Sequence, residues 1–135
     1  MEINQITRQV LGCCIEVHKA VGMGLLESVY EECLFYELSN NTNLFIERQK
    51  PIEVIYKDVK MPCGFRADFV IENQVILELK SVTEIHPIHK AQLMNYMKLA
   101  NCRVGLLINF NVELLMKGVT RWGYRIVRNR LSFLF

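Results

Sequence analysis

No stretch of this sequence approaches the ~18 consecutive apolar residues that a membrane span requires, and its first residues, Met-Glu-Ile-Asn-Gln, lack the basic-then-apolar order of a secretory leader. No Cys-x-x-Cys pair occurs among the five cysteines, Cys13, Cys14, Cys33, Cys63 and Cys102. Their odd number and scattered spacing argue against a disulfide framework and against the usual zinc or iron–sulfur patterns. Reduced, mostly buried thiols are expected instead. Internal repeats, low-complexity tracts and linkers are also missing. With 51% hydrophobic and 22% charged residues, the disordered classes are excluded. At 135 residues, one domain spanning 1–135 with a real core is expected. A cytoplasmic protein with no membrane partner completes that expectation.

Charge of either sign is nearly absent in the balance, which is only +2. Its distribution is uneven, with a net −4 over residues 1–40, zero over 41–80 and +6 over 81–135. Five bases and no acid lie between Lys117 and Arg130, among them Arg121, Arg125 and Arg128. Such a run is either a footprint for an anionic polymer or a solvated face.

Apolar residues at Ile3, Ile6, Val10, Cys13 or Cys14, Val17 and Val21 recur at helical spacing, predicting a helix from about 3 to 20. Gly22-Met23-Gly24 ends it, and Leu26, Val29, Tyr30, Cys33, Leu34 and Leu38 mark a second helix. From Leu44 the period changes to two. Phe45–Gln49 and Ile52–Tyr56 read as one strand interrupted at Pro51, or as two short ones. Lys57-Asp58 is a turn, and Pro62-Cys63-Gly64 a further break. Phe65–Ile71 and Val75–Val82 form a hairpin around Glu72-Asn73-Gln74. Pro87 opens a third helix running to about Ala100. Arg103–Phe110 is an apolar strand, and short strands are expected around Leu114–Met116 and Arg125–Val127.

The hairpin carries the chemistry. A three-residue loop pairs Ile71 with Val75 and therefore Asp68 with Glu78, so that both carboxylates share a face; a two-residue loop would split them. Glu78 and Lys80, two apart, share a face in any register. Charges among Val, Ile and Leu are costly unless they are paired or bind a metal. Two carboxylates offer the hard oxygens that Mg²⁺ prefers, and an ammonium beside them can offset charge on a phosphate. The bland alternative is a half-exposed sheet with Lys80 as a cross-strand partner. His18, His86 and His89 have no ligand spacing and read as structural.

The order helix, three strands, helix, strand, with Asp68 on the second strand and Glu78-Leu79-Lys80 on the third, resembles the PD-(D/E)XK, or restriction-endonuclease-like, nuclease superfamily. Within it, the chain looks like the GxxExxY proteins. Gly24-Leu25-Leu26-Glu27-Ser28-Val29-Tyr30 matches their naming motif. Glu47-Arg48-Gln49, Arg66-Ala67-Asp68, Glu78-Leu79-Lys80, Gln92-Leu93-Met94-Asn95-Tyr96 and Gly105–Phe110 match further blocks in the same order. Ala67 stands where the superfamily's name has proline, and Met23 where relatives often have proline.

The resemblance implies an α/β fold, an αβββαβ core with a central mixed sheet flanked by helices and an extra N-terminal helix. It also implies a Mg²⁺- or Mn²⁺-dependent nuclease acting on DNA more than RNA. Asp68 and Glu78 would be metal ligands with the Leu79 carbonyl and Glu27, and Lys80 would act on water and transition-state charge. Gln92 and Tyr96 would support Lys80 or a substrate phosphate. Tyr30, Arg48, Gln49, Arg66, Arg121, Arg125 and Arg128 are the expected nucleic-acid contacts. The rival expectation is a catalytically weak nucleic-acid-binding or accessory subunit of the same fold, with a homo-oligomer or a larger protein as partner. A metal-dependent hydrolase of a small phosphorylated substrate is the third.

Overall fold

The computed structural model describes residues 1–127 and 130–133, with side chains through residue 123. Its elements run α1 (Ile3–Val21), α2 (Glu27–Asn41), β1 (Ile46–Tyr56), β2 (Val59–Ile71), β3 (Val75–Lys80), α3 (Pro87–Ala100), β4 (Val104–Asn109), a 3-10 turn (Leu115–Gly118), β5 (Val119–Val127) and β6 (Arg130–Phe133). From α2 to β4 this is the expected αβββαβ order, with α1 added in front.

The strands lie side by side in chain order. β1, β2 and β3 are antiparallel neighbours, β3 and β4 run parallel across the α3 connection, and β5 returns antiparallel to β4. β6 extends the far half of β5, pairing Tyr124 with Phe133 and Val127 with Arg130. A parallel pair needs a crossover of a dozen or more residues. The segment holding α3 supplies it.

Helices cover both faces. On one, α1 and α2 press Ile6, Val10, Cys14, Val17, Tyr30, Leu34 and Leu38 against Phe69, Ile71, Leu77, Leu79, Leu106 and Ile108. On the other, Leu93 and Met97 of α3 pack on Val70, Ile76 and Leu107. Gly105 permits this close approach, because a Cβ there would lie 2.6 Å from Met97 Sδ. Helix α3 is thereby drawn down onto the strands that carry the carboxylates. Its start is fixed by Pro87 in the first turn and by the His86 amide, which donates to His89 Nδ1 at 3.1 Å.

Four expectations are corrected. Pro51 does not interrupt β1, because β1 is an edge strand, where one side of the backbone needs no ladder partner and proline is tolerated. Pro62-Cys63-Gly64 likewise lies within β2, which has β1 alone as its partner at that level. Leu114–Met116 is not a strand but leads into the 3-10 turn, and β5 begins at Val119, well before Arg125. Apolar content alone did not separate these cases, since Leu115 is buried in a turn as fully as a strand residue would be.

The hairpin register is the three-residue one. Ile71 pairs with Val75, Val70 with Ile76 and Phe69 with Leu77. Glu72 and Asn73 both take left-handed backbone conformations, φ 53 and 55, and the Gln74 amide donates to the Ile71 carbonyl at 3.0 Å. Lys57 and Asp58, φ 50 and 63, turn the β1–β2 hairpin in the same way.

Candidate active site

Regular pairing between β2 and β3 stops at Phe69 and Leu77. Beyond it the side chains replace the ladder. The Asp68 amide donates to Glu78 Oε1 at 3.4 Å, and the Leu79 amide donates to Asp68 Oδ2 at 2.8 Å. Asp68 and Glu78 thus meet across the seam where the strands part, and each carboxylate accepts a backbone N–H from the opposite strand.

The side-chain alternation slips at this point. Phe69 and Ile71 face α1 and α2, whereas Phe65 and Ala67 pack on the α3 side. Gln49 lies opposite Asp68, between the pairs Arg48–Phe69 and Lys50–Ala67, and has φ 50. A kinked corner on both strands holds the carboxylates half-buried at the rim instead of in the core.

Electrostatics follow from that position. Burial, followed by the neighbouring Asp68 carboxylate, pushes Glu78 up to about 8, with Glu27 adding to the effect. Burial also raises Asp68; the Leu79 amide opposes this and Glu31 adds to it. The Lys80 charge favours ionisation of both carboxyls, yet Lys80 forms no salt bridge with either of them. The chain itself therefore offsets only part of the cost of ionising the two carboxyls.

Lys80 ends β3, and the chain just beyond it is clamped. Asn109, buried at the end of β4, accepts from the Val82 amide at 3.1 Å and donates to the Val82 carbonyl at 3.0 Å. The Phe110 amide donates to the Lys80 carbonyl at 2.9 Å. Ser81 Oγ donates to the Leu25 carbonyl, tying the end of β3 to the loop that begins α2. Glu27, exposed in the first turn of α2, is brought to the rim of the corner in this way. Asn109 escaped the sequence reading, although a polar residue closing an otherwise apolar strand was the available signal.

Tyr30 requires correction. It is fully buried, its ring stacked on Phe110 at 4.4 Å, and it cannot touch a nucleic acid. Its hydroxyl donates to the Gly22 carbonyl at 2.6 Å and accepts from the Leu25 amide at 3.2 Å. Gly24, φ 91, makes the turn between these anchors. The Gly-x-x-Glu-x-x-Tyr spacing is thus a local device: the tyrosine fixes the glycine turn, and the turn delivers Glu27.

The remaining expected residues divide. Tyr96 lies on α3 with its ring stacked on Phe65 at 3.9 Å, near enough to Glu78 and Asp68 for both to raise its pKa, after burial as the main cause. Gln92, one turn earlier, is exposed. Arg66 is exposed two residues from Asp68. Arg48 is spoken for, bonded to Glu31 and Glu32 and lying 5.0 Å from the Phe35 ring. Arg121 pairs with Leu106 and reaches Thr7 and Asn4 on α1, at 3.2 and 2.8 Å, so it faces away from Glu78 and Lys80. Arg125 is placed only by its backbone in β5, and Arg128 lies outside the described residues. Glu31 was missed: it is held by Arg48 at 2.8 Å and bonded to Gln49, whose amide also reaches Asp68 Oδ1 at 3.3 Å.

Among the described residues no group of three or more His, Cys, Asp or Glu side chains is arranged to hold a metal ion. The donors that do converge are Asp68 and Glu78. Two half-buried carboxyls, whose ionised forms burial and their mutual repulsion disfavour, fit a small hard cation that keeps several waters. No helix among the described residues is long and apolar enough to cross a membrane.

Compared with known proteins, the chain matches one family model, that of the PD-(D/E)XK nuclease superfamily, over residues 4–122. No curated protein and no solved structure matches it.

Proposed function

The chain belongs to the PD-(D/E)XK nuclease superfamily, and on that premise we propose that it is a Mg²⁺- or Mn²⁺-dependent nuclease of the GxxExxY type. It hydrolyses phosphodiester bonds of DNA at the corner formed by Asp68, Glu78 and Lys80. Nucleases of this superfamily generally use divalent metals and act on nucleic acid. The observation that carries the reading is the pair of backbone-anchored carboxylates, one from β2 and one from β3, that meet where the ladder ends.

Asp68 and Glu78 would hold the ion, with the Leu79 carbonyl and Glu27 completing the protein's share of ligands. A divalent ion supplies a Lewis acid beside the phosphate and eases deprotonation of water near neutral pH. The chain's own residues do the rest. Lys80 stands beside both carboxyls, placing positive charge where the phosphorane gains negative charge. Tyr96, braced by Phe65, orients the substrate phosphate or Lys80, with Gln92 one turn away. Arg66 is the nearest candidate for contacts to the nucleic-acid backbone, whereas Gln49 spends its amide donors on Glu31 and Asp68. Phosphate contacts of this kind position a polymer without reading its sequence.

A second reading has one observation in its favour. Arg48 and Arg121 are both engaged inside the fold, leaving few cations near the corner for a polymer. An accessory subunit of low activity would obtain its remaining contacts from a partner. Incubating the purified protein with single-stranded, duplex and branched DNA and with RNA, in Mg²⁺, Mn²⁺ or EDTA, separates the two. Metal-dependent cleavage lost in Asp68→Asn supports the nuclease; binding without cleavage in either metal supports the accessory subunit.

A further inference from the structure

We propose that Glu31, acting through Gln49, is the device that fixes the Asp68 carboxylate, making both of them positioning residues of the site. The inference rests on the reading of Asp68 as a site residue. Three observations carry it.

The first is connectivity. Glu31 lies one helical turn beyond Glu27 on α2, with only 16% of its side chain exposed. One carboxylate oxygen takes the Arg48 guanidinium, through Nε at 2.9 Å and a terminal nitrogen at 2.8 Å. The other takes Gln49 Nε2, and the same Nε2 reaches Asp68 Oδ1 at 3.3 Å. The second oxygen of Asp68 takes the Leu79 amide at 2.8 Å. Asp68 is therefore held from two sides, by β3 directly and by α2 through Gln49.

The second observation is strain. Gln49 has φ 50 inside a strand and not in a turn. That region is sparsely populated by anything other than glycine, asparagine or aspartate, and a residue kept there is over-determined by its surroundings. Glycine would take the same backbone without strain, so a glutamine at this position makes sense through what its side chain does.

The third is chemical. A primary amide has two N–H donors and no charge. It can link two carboxylates and still leave Asp68 its full negative charge for a cation. A lysine in the same place would neutralise the pair and compete with that cation.

The test uses variants that keep the backbone. Asparagine tolerates positive φ and retains the amide, but it is one methylene too short to span Glu31 and Asp68; glycine removes the side chain and the strain together. For Gln49→Asn and Gln49→Gly the stability to urea is expected to be unchanged or raised. Exchange of the Leu79 amide hydrogen, which reports Asp68 directly, should quicken about tenfold or more, and cleavage of DNA should fall about 100-fold, as expected for a misplaced reacting group. Glu31→Gln, which keeps an oxygen facing Gln49, should retain more activity and more Leu79 protection than Glu31→Ala.

Wild-type cleavage and Leu79 protection in both Gln49 variants would overturn the proposal. So would losses that merely track global stability, since these mean a structural role alone. The nuclease reading is tested separately. If the wild type cleaves nothing while Leu79 protection still depends on Gln49, the positioning stands and the nuclease falls. If the wild type cleaves and Gln49→Asn cleaves equally well, the nuclease stands and the positioning falls.

Discussion

On the side of α1 and α2, strands β2 and β3 present Phe69, Ile71, Val75, Leu77 and Leu79, and all five are buried. On the side of α3 the same strands present Val70 and Ile76, and then Glu78 and Lys80. The two faces differ because of where the backbone ladder ends. It runs from Ile71–Val75 through Val70–Ile76, on the α3 side, to Phe69–Leu77. Beyond that pair it stops, and the Asp68 and Leu79 amides need acceptors. Carboxylates fill that need, which is why charge is tolerated at the corner and not among the apolar side chains beneath α1 and α2.

The largest effects should come from breaking the corner. Asp68→Asn and Glu78→Gln keep the shape and a hydrogen-bonding oxygen but lose the charge. Both should remain folded while cleavage drops on the order of 10⁴-fold, about 5 kcal/mol of barrier. Lys80→Ala should lose most turnover yet bind Mn²⁺ nearly as the wild type does by calorimetry, whereas Glu78→Ala should lose both. On the opposite face, Phe69→Ala leaves a cavity in a fully buried site and should destabilise the fold by about 3–5 kcal/mol in urea titration. If Phe69→Ala were silent and Asp68→Asn unfolded the protein, the contrast between the faces would be wrong.

An intermediate effect sharpens the contrast through pH. Glu78 sits at about 8 in the fold against an ordinary 4.5, so the folded protein binds a proton that the unfolded chain has released. Stability of the metal-free protein should therefore fall as pH rises from about 5 to about 8, by up to about 1.4 kcal/mol per pH unit, and level off above. Mg²⁺ should restore much of the loss at pH 8, since a cation stabilises the ionised pair. In Glu78→Gln the slope should flatten. Thermal melts across that range, with and without Mg²⁺, read all three.

Much of this was legible in the residues, for physical reasons that can be named. Helical spacing gave α1 and α2 because each buries one face, and the odd loop length gave the register that unites Asp68 with Glu78. The long apolar stretch of β4 and the proline opening α3 were equally plain. Less visible was anything that depends on a kink. The bend at Gln49 and Asp68 leaves no mark in an alternating pattern, so nothing in the spacing connects Glu31 to the corner; Tyr30, by contrast, stands among the apolar positions of α2, and that spacing is the sign of its burial. Pro51 and Pro62 misled because proline breaks a strand only where its missing N–H would have faced a paired neighbour. The basic C-terminal run could not be placed by charge alone, since which face of β5 bears Arg121 depends on its register with β4.

That placement sets the smallest expected effect. Arg121 is half-buried, donates to Thr7 and Asn4, and projects toward α1, whereas Arg66 is exposed near Asp68. Arg121→Gln should therefore lose about 1 kcal/mol of stability, the usual worth of such bonds, and leave DNA affinity unchanged at every salt concentration. Arg66→Gln should leave stability within about 0.5 kcal/mol of the wild type, as is usual at an exposed position. It should weaken binding to all sequences alike, with the log–log salt slope reduced by about 0.9 for one lost duplex phosphate contact. Fluorescence anisotropy at several salt concentrations, beside urea titration of both variants, gives the comparison. A reduced slope in Arg121→Gln with full stability would return the polymer track to the β5 side and remove the distinction between the two arginines.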